Sequence, residues 1–111
     1  MTTRNDCWYN LQHAAACLLL KERHPVSERS FAEIVIWRVP LAVPGSGHVY
    51  KYSLAYVVEG KCLLRYDNEA GTGDHRHIGR REEPYAFTTP QALLADFWKD
   101  LDEWRRRHAH D

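Results

Sequence analysis

Residues 31–39 set the pattern from which the rest of the chain is read. Phe31, Val35, Trp37 and Val39 occupy one alternate set and Ala32, Ile34 and Ile36 the other. Apolar residues on both sets predict a β-strand that is central in its sheet and covered on both faces. Before it, Leu11, Ala15, Leu18 and Leu19 fall at helical spacing among good helix formers over about 8–23, and Pro25 ends the pattern. That stretch predicts an N-terminal helix. Pro40, Pro44, Gly45, Ser46 and Gly47 then mark a loop.

From 48 to 58, His48, Tyr50, Tyr52, Leu54, Tyr56 and Val58 alternate with Val49, Lys51, Ser53, Ala55 and Val57, which predicts a long strand. Glu59-Gly60 reads as a two-residue hairpin turn, with 61–67 returning. A tight turn sets Val58 opposite Lys61, Tyr56 opposite Leu63, Leu54 opposite Arg65 and Tyr52 opposite Asp67. One face then groups His48, Tyr50, Tyr52, Arg65 and Asp67, and the other groups Lys51, Ser53, Tyr66 and Asn68; a one-residue slip exchanges the two sets.

Gly71 and Gly73 turn the chain, and 75–78 forms an extended segment with His75 and His77 on one side and Arg76 on the other. A loop follows over 79–87. Thr88 or Thr89 caps a C-terminal helix with Pro90 in its first turn and Gln91 as a capping-box partner for Thr88. Its apolar face is Leu93, Leu94, Phe97, Trp98, Leu101 and Trp104, and Arg105, Arg106 and Arg107 suit the negative end of its dipole. The order predicts an α+β fold, a single domain over 1–111. A mainly antiparallel sheet of about three to five strands packs against an N-terminal and a C-terminal helix, and the last few residues are frayed.

Composition narrows the function classes. At 44% apolar and 12% aromatic residues the chain is a globule, not a disordered tail. Fifteen basic residues balance fifteen acidic ones, so tight non-specific DNA binding through a basic stripe is excluded and any RNA contact must be local. Three cysteines without a CxxC spacing predict free thiols in a reducing cytoplasm. The apolar stretch around 14–20 is too short to cross a bilayer.

The densest chemistry lies over 65–78. Alternating His75 and His77 can divide general acid and base roles in cleaving a phosphodiester, or can bind a metal with Asp74, Asp67 or His48. Asp67 can orient a histidine, while Asn68 suits a turn. Lys51, Arg65 and Arg76 are the cations nearest the cluster and can hold a phosphate. Tyr50, Tyr52, Tyr56 and Tyr66 can stack bases, although core packing is the commoner role. Glu33 among apolar neighbours demands a partner such as Arg38, Arg65 or a histidine. No cofactor motif and no metal-ligand set is assigned.

Trp37-Arg38-Val39-Pro40, Gly45-Ser46-Gly47-His48, Tyr50-Lys51-Tyr52-Ser53-Leu54, Arg65-Tyr66-Asp67-Asn68, Gly71-Thr72-Gly73-Asp74-His75-Arg76-His77 and Glu83-Pro84-Tyr85-Ala86-Phe87 carry a resemblance. The stretch from Phe31 to about Trp98 resembles the TumE family of bacterial and archaeal toxin–antitoxin systems. Thr72 departs from the lysine frequent there, which weakens a phosphate role at that position. The resemblance implies a cytoplasmic growth-inhibiting toxin neutralised by a cognate helix-turn-helix antitoxin, with RNA as candidate substrate and a homodimer possible. Small toxins of such systems are often ribonucleases. The groups here suit metal-independent RNA cleavage with His75, His77 and His48 as acid–base candidates and Asp67 as orienter. Lys51, Tyr52, Arg65, Tyr66, Asn68, Asp74 and Arg76 would then bind substrate. The alternative is a non-catalytic toxin, or an RNA- or metal-binding protein, acting by docking to a cellular target.

Overall fold

The computed structural model describes residues 7–8, 16–69, 71 and 73–108. Among these residues the elements are β1 (Cys7–Trp8), β2 (Ala16–Ser27), β3 (Ser30–Arg38), β4 (Tyr50–Val58), β5 (Lys61–Asp67), β6 (His75–Ile78), β7 (Arg81–Pro84) and α1 (Pro90–Arg107). The strands pair in chain order and each is antiparallel to the next, giving a meander whose first member is a two-residue edge pairing.

The expected N-terminal helix is absent among the described residues: 16–23 belongs to β2, and 9–15 lies outside them. The chain is mostly sheet, with six strands beyond β1 where three to five were expected, and the C-terminal helix is the only one described. The physical reason lies in β3. Its polar N–H and C=O groups, set among apolar side chains, need a ladder on both edges, and β2 supplies one along the whole length of β3. Tertiary pairing of this kind outweighs helix propensity, which is a weak prior. Within β2, Leu20 and Val26 pack against the core, and Pro25 is tolerated where, among the described residues, the strand has no neighbour on its outer side. Leu19, part of the apparent helical stripe, is pushed out at a register shift and is 48% exposed.

Glu59 and Gly60 both have positive φ, 49° and 82°, the type I′ turn that a two-residue hairpin favours. Val58 faces Lys61 as expected, but Val57 then faces Cys62 and Tyr56 faces Leu64, leaving Leu63 as the extra residue of a bulge. Every later position therefore changes faces. Tyr66 joins Leu54, while Asp67 joins Ser53 and Arg65 joins Ala55. The expected loop over 79–87 contains β7, which folds back on β6.

Side chains of alternate sets divide the two faces. Ala32, Ile34, Ile36, Tyr52, Leu54, Tyr56, Leu64 and Tyr66 are buried with Leu93, Phe97 and Leu101 of α1 in one core. The opposite set of β3, Phe31, Glu33, Val35 and Trp37, is only half-buried. The expectation of cover on both faces fails: among the described residues the one helix, α1, packs on the other face, and no element covers this one. Charged β2 side chains lean across this open face instead: the Arg23 guanidinium lies 4.1 Å over the Phe31 ring and pairs with Glu33.

The helix begins where its chemistry predicts. Thr89 is the N-cap, its hydroxyl accepting from Ala92 N at 3.0 Å, with Pro90 next to it. Because Thr89 caps, the Thr88–Gln91 capping box does not form. Thr89→Ala is expected to lower unfolding stability by about 1 kcal/mol, read as a shifted urea midpoint at unchanged m-value. At the other end His108 stacks on Trp104 with ring centroids 4.2 Å apart, and the rest of the expected frayed end, 109–111, lies outside the described residues.

Candidate functional site

The bulge in β5 builds the site, because it turns Arg65 and Asp67 onto the uncovered face. Pairing across β4, β5, β6 and β7 then lines up two rows there. Ser53, Asp67, His75 and Pro84 make one, and Ala55, Arg65, His77 and Glu82 the other. His75 and His77 point the same way, with ring centroids 5.2 Å apart.

Asp67 is buried and holds two partners. Its Oδ1 lies 2.9 Å from His75 Nε2 and its Oδ2 lies 2.7 Å from Arg65 Nε. His75 Nδ1 donates to the Gly73 carbonyl at 3.0 Å. The ring is thus held at both ends, and a ring carrying hydrogen on both nitrogens donates to both acceptors. His77 is more open. Its side chain is 39% exposed, and its Nε2 stands 3.5 Å from Glu82 Oε2, beyond hydrogen-bond length. Shallow grooves border the cluster, one lined by Cys62, Arg65, Asp67, His77 and Gly79, the other by Asp74, His75, Glu82, Glu83 and Pro84.

Gly73 is seated by a backbone-to-backbone contact. A Cβ on Gly45 would meet Gly71 O and Gly73 N at 2.7 Å each, and one on Gly73 would meet Gly45 O at 2.9 Å. Both have positive φ, 85° and 93°. The 45–47 loop therefore buttresses the carbonyl that orients His75.

Asp74, which lines one of the two grooves, turns its carboxylate to His48 and to Tyr52 of the helix-covered face. His48 Nδ1 accepts from Tyr50 N (3.2 Å), so its Nε2 carries the hydrogen and donates to Asp74 Oδ2 (2.8 Å). The Tyr52 hydroxyl donates to the same oxygen at 2.6 Å. Burial, with that bond to Asp74, pushes the Tyr52 hydroxyl far above its ordinary pKa. His48 also stacks on Phe87 at 3.9 Å. With both ring nitrogens engaged, His48 ties the end of the sheet to the 85–87 segment.

The other residues expected to bind substrate divide the same way. Tyr66 and Arg76 face α1: Arg76 donates to Tyr66 (3.1 Å) and Asp100 (2.9 Å) and pairs with Glu83, while the Tyr66 hydroxyl donates to Asp100. Burial and the Asp100 bond raise the Tyr66 hydroxyl's pKa. Asn68 is fully buried, taking Tyr52 N–H (3.1 Å) on Oδ1 and donating from Nδ2 to Tyr50 O (2.8 Å) and Ser46 Oγ (3.1 Å). It locks strand ends together; it does not make its own turn. Tyr52, Tyr56 and Tyr66 are core residues, so base stacking on them is precluded. Lys51 remains exposed on the open face, two residues along β4 from the Ser53 that pairs with Asp67. Thr72 lies outside the described residues.

Glu82 was not anticipated, because 79–87 reads as a loop. A two-residue turn at Gly79-Arg80 would have placed it opposite His77, and that glycine was the available signal. Arg23 proved to be the partner of Glu33, which is half-exposed. Cys17 is disulfide-bonded, against the free thiols the odd count predicts. Cys62 is free; desolvation pushes its thiol up, with Arg65 opposing, and its Sγ–H donates to Leu64 O, so nothing activates it as a nucleophile.

Fold and site define a small antiparallel-sheet protein with a helix on one face and an ionisable histidine–carboxylate cluster on the other. Residues 17–105 match the family model Toxin TumE. The chain belongs to the TumE toxin family, and membership in a toxin family suggests an antitoxin partner. No curated protein and no solved structure matches the chain. Among the described residues, no helix is long and apolar enough to cross a membrane.

Proposed function

We propose that this toxin arrests growth by cutting RNA on the open face of its sheet, without a metal in the chemical step. The observation that carries the reading is the placement of two imidazoles side by side on an uncovered face, with Asp67 holding one of them and Arg65 beside it. His77, the more open ring, takes or gives the proton of the 2′-hydroxyl or of the leaving oxygen. His75 is its partner in the opposite role, which requires its Nε2 to exchange Asp67 for substrate. Arg65 and Lys51 anchor the phosphate and offset the charge that develops on it. The protein acts in the cytoplasm, and a cognate helix-turn-helix antitoxin neutralises it.

A second reading, inhibition by docking to a cellular target, is supported by the half-buried Phe31, Val35 and Trp37 on the same face. The two separate in one assay. Purified protein is incubated with mixed RNA in EDTA, and cleavage is the expected result. Cleavage only after a divalent ion is added would mean a metal-dependent nuclease. RNA that survives every condition, from a protein that still arrests growth, would favour docking.

A further inference from the structure

We propose that His75, His77 and Glu82 form a binding site for a divalent transition-metal ion of the zinc class. Their donor atoms all lie within 4.8 Å of one another. The Nε2 atoms of His77 and His75 stand 3.5 and 3.7 Å from the same Glu82 Oε2. These separations are too long for hydrogen bonds. They are close to the ~3.3 Å between donors that each sit about 2.0–2.1 Å from a tetrahedral zinc ion.

The backbone holds this spacing. His77 and Glu82 are paired directly across β6 and β7, and His75 is the next residue on the same face. His75 also carries the outer contact typical of a ligating imidazole. Its Nδ1–H is committed to the Gly73 carbonyl, and its Nε2, which faces Asp67 and Glu82, presents a lone pair to an ion once its hydrogen is released to solvent. A cation between them satisfies all three groups. Asp67 Oδ1, 2.9 Å from that nitrogen, offers a further oxygen at the edge of the site.

Two imidazoles with one carboxylate suit zinc and its neighbours, whereas magnesium and calcium prefer oxygen donors throughout. The His77 and Glu82 side chains are 39% and 58% exposed, so coordination positions stay open to water and the ion exchanges with solution. The site shares His75 and His77 with the RNA reading but does not rest on it: an ion there would occupy the nitrogens that proton transfer uses, and its binding is measured without RNA.

Isothermal titration of the tag-free full chain with zinc chloride, and absorption spectra with cobalt, test it without RNA. The wild type is expected to bind with d–d bands typical of mixed nitrogen and oxygen ligation, and excess magnesium should not compete. His77→Ala and Glu82→Gln should each weaken binding roughly tenfold or more, with circular dichroism showing both folded. His24→Ala, which removes a ring bonded to Glu22 on β2, should leave affinity unchanged. Equal affinity in the wild type and His77→Ala, or loss of binding in His24→Ala alone, would overturn the proposal.

Discussion

His77→Ala is expected to slow RNA cleavage in EDTA by about 10²–10⁴-fold, the range over which a positioned acid or base accelerates proton transfer. The ring's exposure and its lack of a close hydrogen bond in the 3.5 Å contact with Glu82 mean that removing it costs the fold little. A urea midpoint within experimental error of the wild type, beside a collapsed single-turnover rate, is the expected pair of results. Asp67→Asn makes the complementary test. It keeps an oxygen beside His75 but removes the carboxylate charge that Arg65 and His75 share. The reading expects a rate loss for Asp67→Asn that is much smaller in a His75→Ala background, since the carboxylate acts through that ring. Cleavage by His77→Ala at the wild-type rate would refute the assignment of acid–base chemistry to this face.

How much of this was legible depends on which period the chain displays. The last helix was readable because cap, proline and apolar face agree: Thr89, Pro90, and Leu93, Phe97 and Leu101 with their partly buried neighbours. The β4–β5 hairpin was readable from Glu59-Gly60, but its register was not. A bulge leaves no mark in the alternation of 61–67, where Leu63 and Leu64 are both apolar, and one extra residue moved Arg65 and Asp67 to the other face. The N-terminal error has a similar origin. Three consecutive leucines satisfy helical and strand periods alike, and only the need of β3 for an outer neighbour decides between them. His75 and His77 were found from their alternation. Glu82 was missed because a four-residue strand of Arg, Glu, Glu and Pro has no hydrophobic pattern to betray it.

The buried amide of Asn68 should matter most to stability, and through it to the site. It satisfies the Tyr52 N–H and the Tyr50 carbonyl at the open end of β4 while reaching Ser46 in the loop that carries Gly45. Asn68→Ala leaves two backbone groups unpaired in a place water does not reach. At about 1–3 kcal/mol for each unsatisfied group, the expected loss is about 3 kcal/mol, read from urea unfolding. Asn68→Asp should be worse at neutral pH. Its carboxylate can still accept from Tyr52 N but turns a second oxygen toward the Tyr50 carbonyl, and burying that charge is costly. Folding then favours the protonated acid, so the pKa of the introduced carboxyl is raised in the folded state. The sign follows: the penalty of Asn68→Asp relative to the wild type should shrink as pH falls and the folded carboxyl protonates, and grow as pH rises. Because Ser46 adjoins Gly45, and Gly45 packs on Gly73, loosening this amide also frees the carbonyl that holds His75. The cleavage rate of Asn68→Ala should therefore fall even at temperatures where the protein is still folded, whereas Thr89→Ala, remote from that chain of contacts, should lose stability without losing rate.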